Sequence, residues 1–151
     1  MVELPVVYDK KYDSFSLNFV ENGIIKGYID FQLYNELYNM VEDYLTKSEY
    51  RSYFFSKKTI FLKTLWIDLP YRNRGIAKQL MNEFFAKCLT NKKFKDYDFI
   101  CLEAIPLDTI SFKNNFVNDK QILLEFYKRN GFEVIGKEAD DISFMIRPNE
   151  I

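Results

Sequence analysis

The stretch Leu65-Trp66-Ile67-Asp68-Leu69-Pro70-Tyr71-Arg72-Asn73-Arg74-Gly75-Ile76-Ala77-Lys78 is where residue types and spacing point most directly to chemistry. Its first residues end an apolar, β-prone run, Pro70 removes an amide donor that would continue it, and apolar residues at helical spacing follow Gly75. A strand that enters a tight turn and then a helix presents successive backbone amides at the positive end of the helix dipole. That is a cradle for a diphosphate. Gly75 keeps a Cβ out of the ligand's way, and Ala77 keeps the helix start close to the neighbouring strand. Arg72, Arg74 and Lys78 place positive charge nearby.

The elements that must position this loop can be read on either side of it. Ser14 to Glu21 alternates, Asn22-Gly23 is a two-residue turn signal, and Ile24 to Tyr34 resumes the β pattern, which predicts an antiparallel hairpin. Val6 to Tyr8 is a candidate first strand. Leu37, Met40, Val41 and Tyr44 recur at helical spacing, which predicts a short helix over Glu36 to Leu45, followed by a loop from Thr46 to Lys58. Ile60 to Ile67 reads as a central strand, with only Lys63 and Thr64 interrupting it. From Gly75 onward Ile76, Leu80, Met81, Phe84, Phe85 and Leu89 share one helical face. Asn91 to Tyr97 is a charged turn, and Phe99 to Ala104 is the next strand, so the helix crosses between two parallel neighbours. Ile105 to Asp119 reads as a long connection suited to substrate contacts. Ile122, Leu123, Phe126 and Tyr127 mark a second helix stopped by Asn130-Gly131, and Phe132 to Ile135 and Ile142 to Ile146 read as closing strands.

Composition narrows the function classes. A chain of 151 residues that is 48% hydrophobic suits one domain with one core. Its 21 basic and 22 acidic side chains nearly cancel, which argues against nucleic acid as the main partner. There is no histidine, so the commonest general base and metal ligand is missing and His-dependent triads are excluded. Cys88 and Cys101 fall inside apolar patterns and read as reduced core thiols. Neither a leader pattern nor a membrane-spanning run is evident, so a cytoplasmic protein without a membrane partner is expected. Lys92, Lys93 and Lys95 read as a solvated turn.

Two motifs carry a resemblance. Arg72-Asn73-Arg74-Gly75-Ile76-Ala77 resembles the phosphate-loop pattern Gln/Arg-x-x-Gly-x-Gly/Ala of the Gcn5-related N-acetyltransferase family. Further on, Phe126-Tyr127-Lys128-Arg129-Asn130-Gly131-Phe132 resembles its aromatic-Tyr-x-x-x-Gly-Phe helix-to-strand signature. The resemblance covers Ile60 to about Ile146. It implies an α/β fold with a mixed, mostly antiparallel central sheet, a splayed parallel strand pair and flanking helices. It implies acetyl-CoA as co-substrate, with no metal, and an amine of a small molecule or protein as acceptor. The backbone of Leu65, Trp66 and Ile67 would pair with the pantetheine arm, and the amides of Asn73 to Lys78 would hold the pyrophosphate. Tyr127 matches the tyrosine that protonates the departing thiolate.

Departures from the family limit what carries over. The strand position that holds a glutamate base in some relatives is Phe61 here, which leaves Asp68, Glu103 or water alone as the base. Asn118 is about two residues from the expected place of a CoA-contacting asparagine. The two helices that usually precede the hairpin have no room, so the acceptor wall must come from Glu36 to Lys58, from Ile105 to Asp119, or from a partner subunit in a homodimer. A CoA-binding module without turnover is the alternative function.

Overall fold

Alternation of apolar and polar residues drives the first part of the chain into an antiparallel meander. The computed structural model describes residues 1–35, 58–104, 116–137 and 143–150. Strands β1 (Val2–Glu3) and β2 (Val6–Asp9) both pair with β3 (Ser14–Glu21), which is joined through Asn22 and Gly23, both at positive φ, to β4 (Ile24–Tyr34). Then come β5 (Thr59–Ile67), a 3-10 turn (Leu69–Tyr71), helix α1 (Ile76–Thr90) and β6 (Phe99–Ala104). Helix α2 (Phe116–Arg129) and strands β7 (Glu133–Lys137) and β8 (Ser143–Pro148) complete the described elements. The sheet order is β1-β3-β4-β5-β6-β8-β7, with β5 and β6 parallel and every other pairing antiparallel. The α/β fold with one parallel pair is therefore as expected.

The core lies between α1 and one face of the sheet. Helix α1 packs across β3, β4 and β5 and buries Ile76, Leu80, Met81, Phe84 and Cys88. Phe85 and Leu89, expected on that stripe, are only half-buried, and Cys88 takes the last buried position. The facing sheet residues are Phe15, Leu17, Phe19, Ile29, Phe31, Ile60 and Leu62. Phe94, within the turn read as charged and solvated, is 1% exposed and meets Phe15 and Phe31 edge-on at 5.2 and 5.3 Å. Asn149 holds the same turn from a distance, its side-chain amide donating to the carbonyls of Cys88, Phe94 and Tyr97 at 3.0, 3.3 and 3.1 Å.

Several boundaries differ from the sequence reading. The short pair Val2–Glu3 precedes the expected first strand. Helix α2 begins at Phe116, not near Ile122, because no glycine or proline interrupts Phe116 to Arg129. Residues 116 to 119 of the expected connection are thus helical, and Asn118 lies in the first turn of α2. The expected helix Glu36 to Leu45, the loop up to residue 57 and the connection from Ile105 to residue 115 lie outside the described residues. Trp66 is not a core residue: Leu65 and Ile67 pack against the core, so strand alternation turns Trp66 to the other face.

Candidate functional site

A bulge in β5 creates the opening at which the site is built. Phe31 is paired with Leu62 but Asp30 with Thr64, so Lys63 is the extra residue. Parallel pairing with β6 covers only Thr59 to Leu62, opposite Phe99 to Leu102. Past the bulge, β5 continues alongside β4 alone. The Asp68 amide donates to the Lys26 carbonyl at 3.0 Å, which makes Gly27 and Ile67 a non-hydrogen-bonded antiparallel pair. Alternation then turns the N–H and C=O of Leu65 and Ile67 away from β4 toward the opening, and those of Trp66 toward Tyr28 on β4. The three strand-end residues singled out from sequence therefore divide: Leu65 and Ile67 present backbone to the opening, whereas Trp66 does not.

The loop that follows is pinned to this strand end. Arg72 Nε donates to the Ile67 carbonyl at 2.8 Å, and its guanidinium lies 4.7 Å from the centre of the Trp66 ring. The Trp66 indole in turn donates to Asp68 Oδ1 at 2.9 Å. Asn73 and Gly75 adopt φ of 63 and 78°, the left-handed conformation that turns the chain into α1. Gly75 is the residue before α1, no side chain caps the helix, and the first internal bond runs from the Gln79 amide to the Gly75 carbonyl at 3.1 Å. The amides of Ile76, Ala77 and Lys78 precede that bond and have no intrahelical acceptor. A Cβ on Gly75 would meet nothing within 4 Å, so the protein leaves this side of the turn open. Arg74 and Lys78 are exposed beside it, while Arg72 is half-buried.

Tyr127 is set by the end of α2. The Phe132 amide donates to the Tyr127 carbonyl at 3.1 Å and the Gly131 amide to that of Lys128 at 3.1 Å, with Gly131 at φ 90°. This is a Schellman cap, and the Tyr127 and Phe132 rings, 5.7 Å apart, make the contact that accompanies it. The aromatic-Tyr-x-x-x-Gly-Phe run thus has a physical meaning: it stops the helix and holds one tyrosine. Arg147 reinforces the cap by donating to the Asn130 carbonyl at 2.7 Å while lying 3.9 Å from the Phe85 ring centre. Tyr127 is 5% exposed, and burial pushes its phenol well above the ordinary tyrosine range. Among the described residues, Thr59 Oγ1 is the buried side-chain polar atom that lacks a partner. The Tyr127 hydroxyl, which bonds to no described residue, therefore keeps some contact with accessible space.

Sequence comparison decides the family. A profile described as an acetyltransferase (GNAT) domain matches residues 17–134. The chain belongs to the Gcn5-related N-acetyltransferase (GNAT) family. Solved structures agree with this at the level of fold. A bacterial toxin is 18% identical with a TM-score of 0.65, and the match covers 93% of this chain and 70% of that one. The PaiA N-acetyltransferase from Thermoplasma acidophilum, solved in complex with coenzyme A, is 18% identical with a TM-score of 0.53, over 90% of this chain and 61% of that one. Tetrahymena Gcn5 is 15% identical with a TM-score of 0.53, over 94% and 71%. The match thus spans less than two thirds of PaiA's length. No curated protein matches the sequence.

Within this GNAT fold the two motifs sit where the sequence order requires, one at the end of central strand β5 and one at the end of α2. The bulge at Lys63 escaped the sequence reading, although a signal for it was present. The core-facing apolar residues run Ile60, Leu62, Leu65, Ile67, and the step of three between Leu62 and Leu65 marks the extra residue. The partners that fix Arg72 and the α2 cap, Ile67 and Arg147, carry no local sequence signal.

Proposed function

We propose that the protein is an acetyl-CoA-dependent N-acetyltransferase of the cytoplasm that moves an acetyl group directly to an amine of a small molecule or protein. The observation that carries this reading is the opening beyond Lys63, where the backbone of Leu65 and Ile67 faces out and leads into an uncapped helix start. An extended pantetheine arm suits the Leu65 and Ile67 groups, as an added strand would. The diphosphate suits the amides of Asn73 to Lys78, with Arg74 and Lys78 offering charge. Acetyl-CoA supplies the activated acyl group, and no metal is needed.

The chain's own residues then divide the work. The Leu65 amide faces the opening, where a donor meets the negative charge that develops on the thioester carbonyl oxygen. Tyr127 stays protonated at neutral pH because burial disfavours its anion. It serves as a hydrogen-bond donor to the developing thiolate and as the proton source for the free thiol. Arg72 acts by holding the loop against the strand end.

The coenzyme-bearing PaiA neighbour supports the reading at the level of fold. A second reading, a CoA-binding module without turnover, draws on Phe61 in place of a glutamate. Calorimetric titration of acetyl-CoA separates the two, using wild type and Gly75→Glu, followed by assay of an amine panel. Binding in the range of about 1 μM to 1 mM that the variant abolishes, with acetylation of an amine, is the expected result. Binding without acetylation selects the second reading, and absence of binding refutes both.

A further inference from the structure

Asp30 stands in the middle of β4 on the face of the sheet turned away from α1. Its neighbours Ile29 and Phe31 are both in the core, 0% and 1% exposed, so alternation sends Asp30 to the opposite face. It is paired with Thr64, the residue between the bulge and Leu65, and is therefore abreast of the point where the sheet opens. Ser16, paired with it on β3, donates a short hydrogen bond from Oγ to Asp30 Oδ1. No cation pairs with Asp30 among the described residues, where the ion pairs are Lys26 with Glu21 and Lys87 with Glu83. A half-buried carboxylate with one hydroxyl donor and no cation is under-compensated.

We propose that Asp30 is the acceptor-side carboxylate, binding the ammonium group of a cationic primary amine and taking its proton before attack. The inference rests on acetyl transfer at the opening beyond Lys63. On the sheet's α1 side Leu80, Met81 and Tyr127 belong to one buried core cluster. An amine therefore reaches the opening from the Asp30 face, opposite the thiolate's donor. The opening lies on the far side of β5, about two strand spacings or roughly 9.6 Å from β4, so bridging waters link the carboxylate to an amine placed there.

The surroundings favour a cation. Tyr28, next on the same face and paired with Trp66, has its phenol pushed up by partial burial first and then by the carboxylates of Asp30 and Asp68. Its ring adds a π face to this negative field. The titratable groups near Asp30 are Tyr28 on its own strand, Lys63 in the β5 bulge and Asp68 just past the end of β5, while β3 offers Ser16 and Asn18. Asp68 is less suited to the role, because it lies at the strand end and already accepts from the Trp66 indole. The balance is simple. Asp30 takes one proton from the ammonium and passes it to solvent. The neutral amine forms the N–C bond as the C–S bond breaks, and its second proton ends on the thiol by way of Tyr127.

The test compares wild type, Asp30→Asn, Asp30→Glu and Glu103→Gln with putrescine, Nα-acetyl-lysine amide and tyramine as acceptors, alongside acetyl-CoA affinity by calorimetry. Asparagine keeps an acceptor for Ser16, so the fold should survive. Expected is a loss of at least about 100-fold in kcat/KM for Asp30→Asn, acetyl-CoA affinity within about twofold, and partial recovery in Asp30→Glu. Wild-type acetylation that Asp30→Asn leaves intact, or that Glu103→Gln abolishes in its place, overturns the assignment of Asp30 alone. Failure of wild type to bind acetyl-CoA, or to acetylate any of these amines, overturns the transferase reading and this inference with it.

Discussion

Gly27→Ala tests the opening at the end of β5 without touching any group assigned to chemistry. Gly27 is opposite Ile67, and a Cβ placed on it would lie 2.7 Å from Ile67 Cδ1 and 2.9 Å from the Trp66 carbonyl oxygen. The isoleucine methyl can rotate away, but the carbonyl belongs to the backbone, so β4 and β5 must separate by several tenths of an ångström there. Overpacking of this kind costs about 1–3 kcal/mol. Unfolding entropy of about 2.1 cal/mol/K per residue over 151 residues converts that to a Tm drop of about 3–9 °C. The displaced strand carries Leu65 and Ile67 with it, so acetyl-CoA affinity should fall about tenfold, equivalent to about 1.4 kcal/mol. Gly23→Ala is the control. That glycine, unlike Gly27, is at positive φ, but it has nothing within 4 Å of its would-be Cβ and sits in the hairpin turn. It should cost about 1–2 kcal/mol of backbone strain and leave affinity unchanged. Scanning calorimetry and titration of both variants suffice. If Gly27→Ala matches wild type in Tm and in affinity, the β4–β5 register and the site drawn from it are wrong.

Tyr127→Phe should lower kcat by about 100-fold or more while leaving acetyl-CoA affinity nearly unchanged, checked by steady-state kinetics and calorimetry. Asn149→Ala removes the donor shared by three carbonyls at the end of α1 and should destabilise the fold by about 1–3 kcal/mol, measured by urea unfolding. Glu21 has its carboxyl pulled down by the hydrogen bond and charge of Lys26. A folded pKa below the unfolded one gives stability that is present above the unfolded value, near 4.5, and lost as pH falls through the folded value. The pH dependence of Tm below pH 5 should therefore flatten in Glu21→Gln. Cys88 and Cys101 are buried thiols whose ionisation is pushed up by desolvation, so both should resist alkylation at pH 8 until the protein is unfolded.

How much of this was legible depended on the range of each interaction. Gly75 and Gly131 could be read because left-handed backbone at a helix start or stop is a local demand that glycine meets. The hairpin was legible for the same reason, through Asn22-Gly23. Helix α1 was legible in its phase but not in its last turn, where Cys88 and not Leu89 fills the core. Long-range contacts left no trace. Asn149 caps a helix end that closes at Asn91, Arg147 braces the turn after α2, and Ser16 meets Asp30 across a strand pair. Phe94 was misread because three nearby lysines masked one buried ring. Trp66 lies off the core because the bulge reverses the alternation that would otherwise carry it there from Ile60.

That reversal also explains why one extra residue matters to function. Without Lys63 as a bulge, regular alternation from Ile60 and Leu62 would turn Thr64 and Trp66 to the core, with Leu65 and Ile67 on the other face. The bulge restores an apolar pair to the core beside α1. It also comes where pairing with β6 stops, so the backbone of Leu65 and Ile67 is left facing an opening and not a neighbouring strand. A bulge bends its strand and strengthens the local twist, which suits the parting of β5 from β6. The same shift brings Thr64 opposite Asp30, so the extra residue places the polar row of β3, β4 and β5 abreast of the opening. Deleting Lys63 would therefore leave Thr64 to Ile67 on the faces they now occupy and remove only the bulge with its bend and twist, so acetyl-CoA affinity of that variant, by calorimetry, reads what the parting of β5 from β6 contributes.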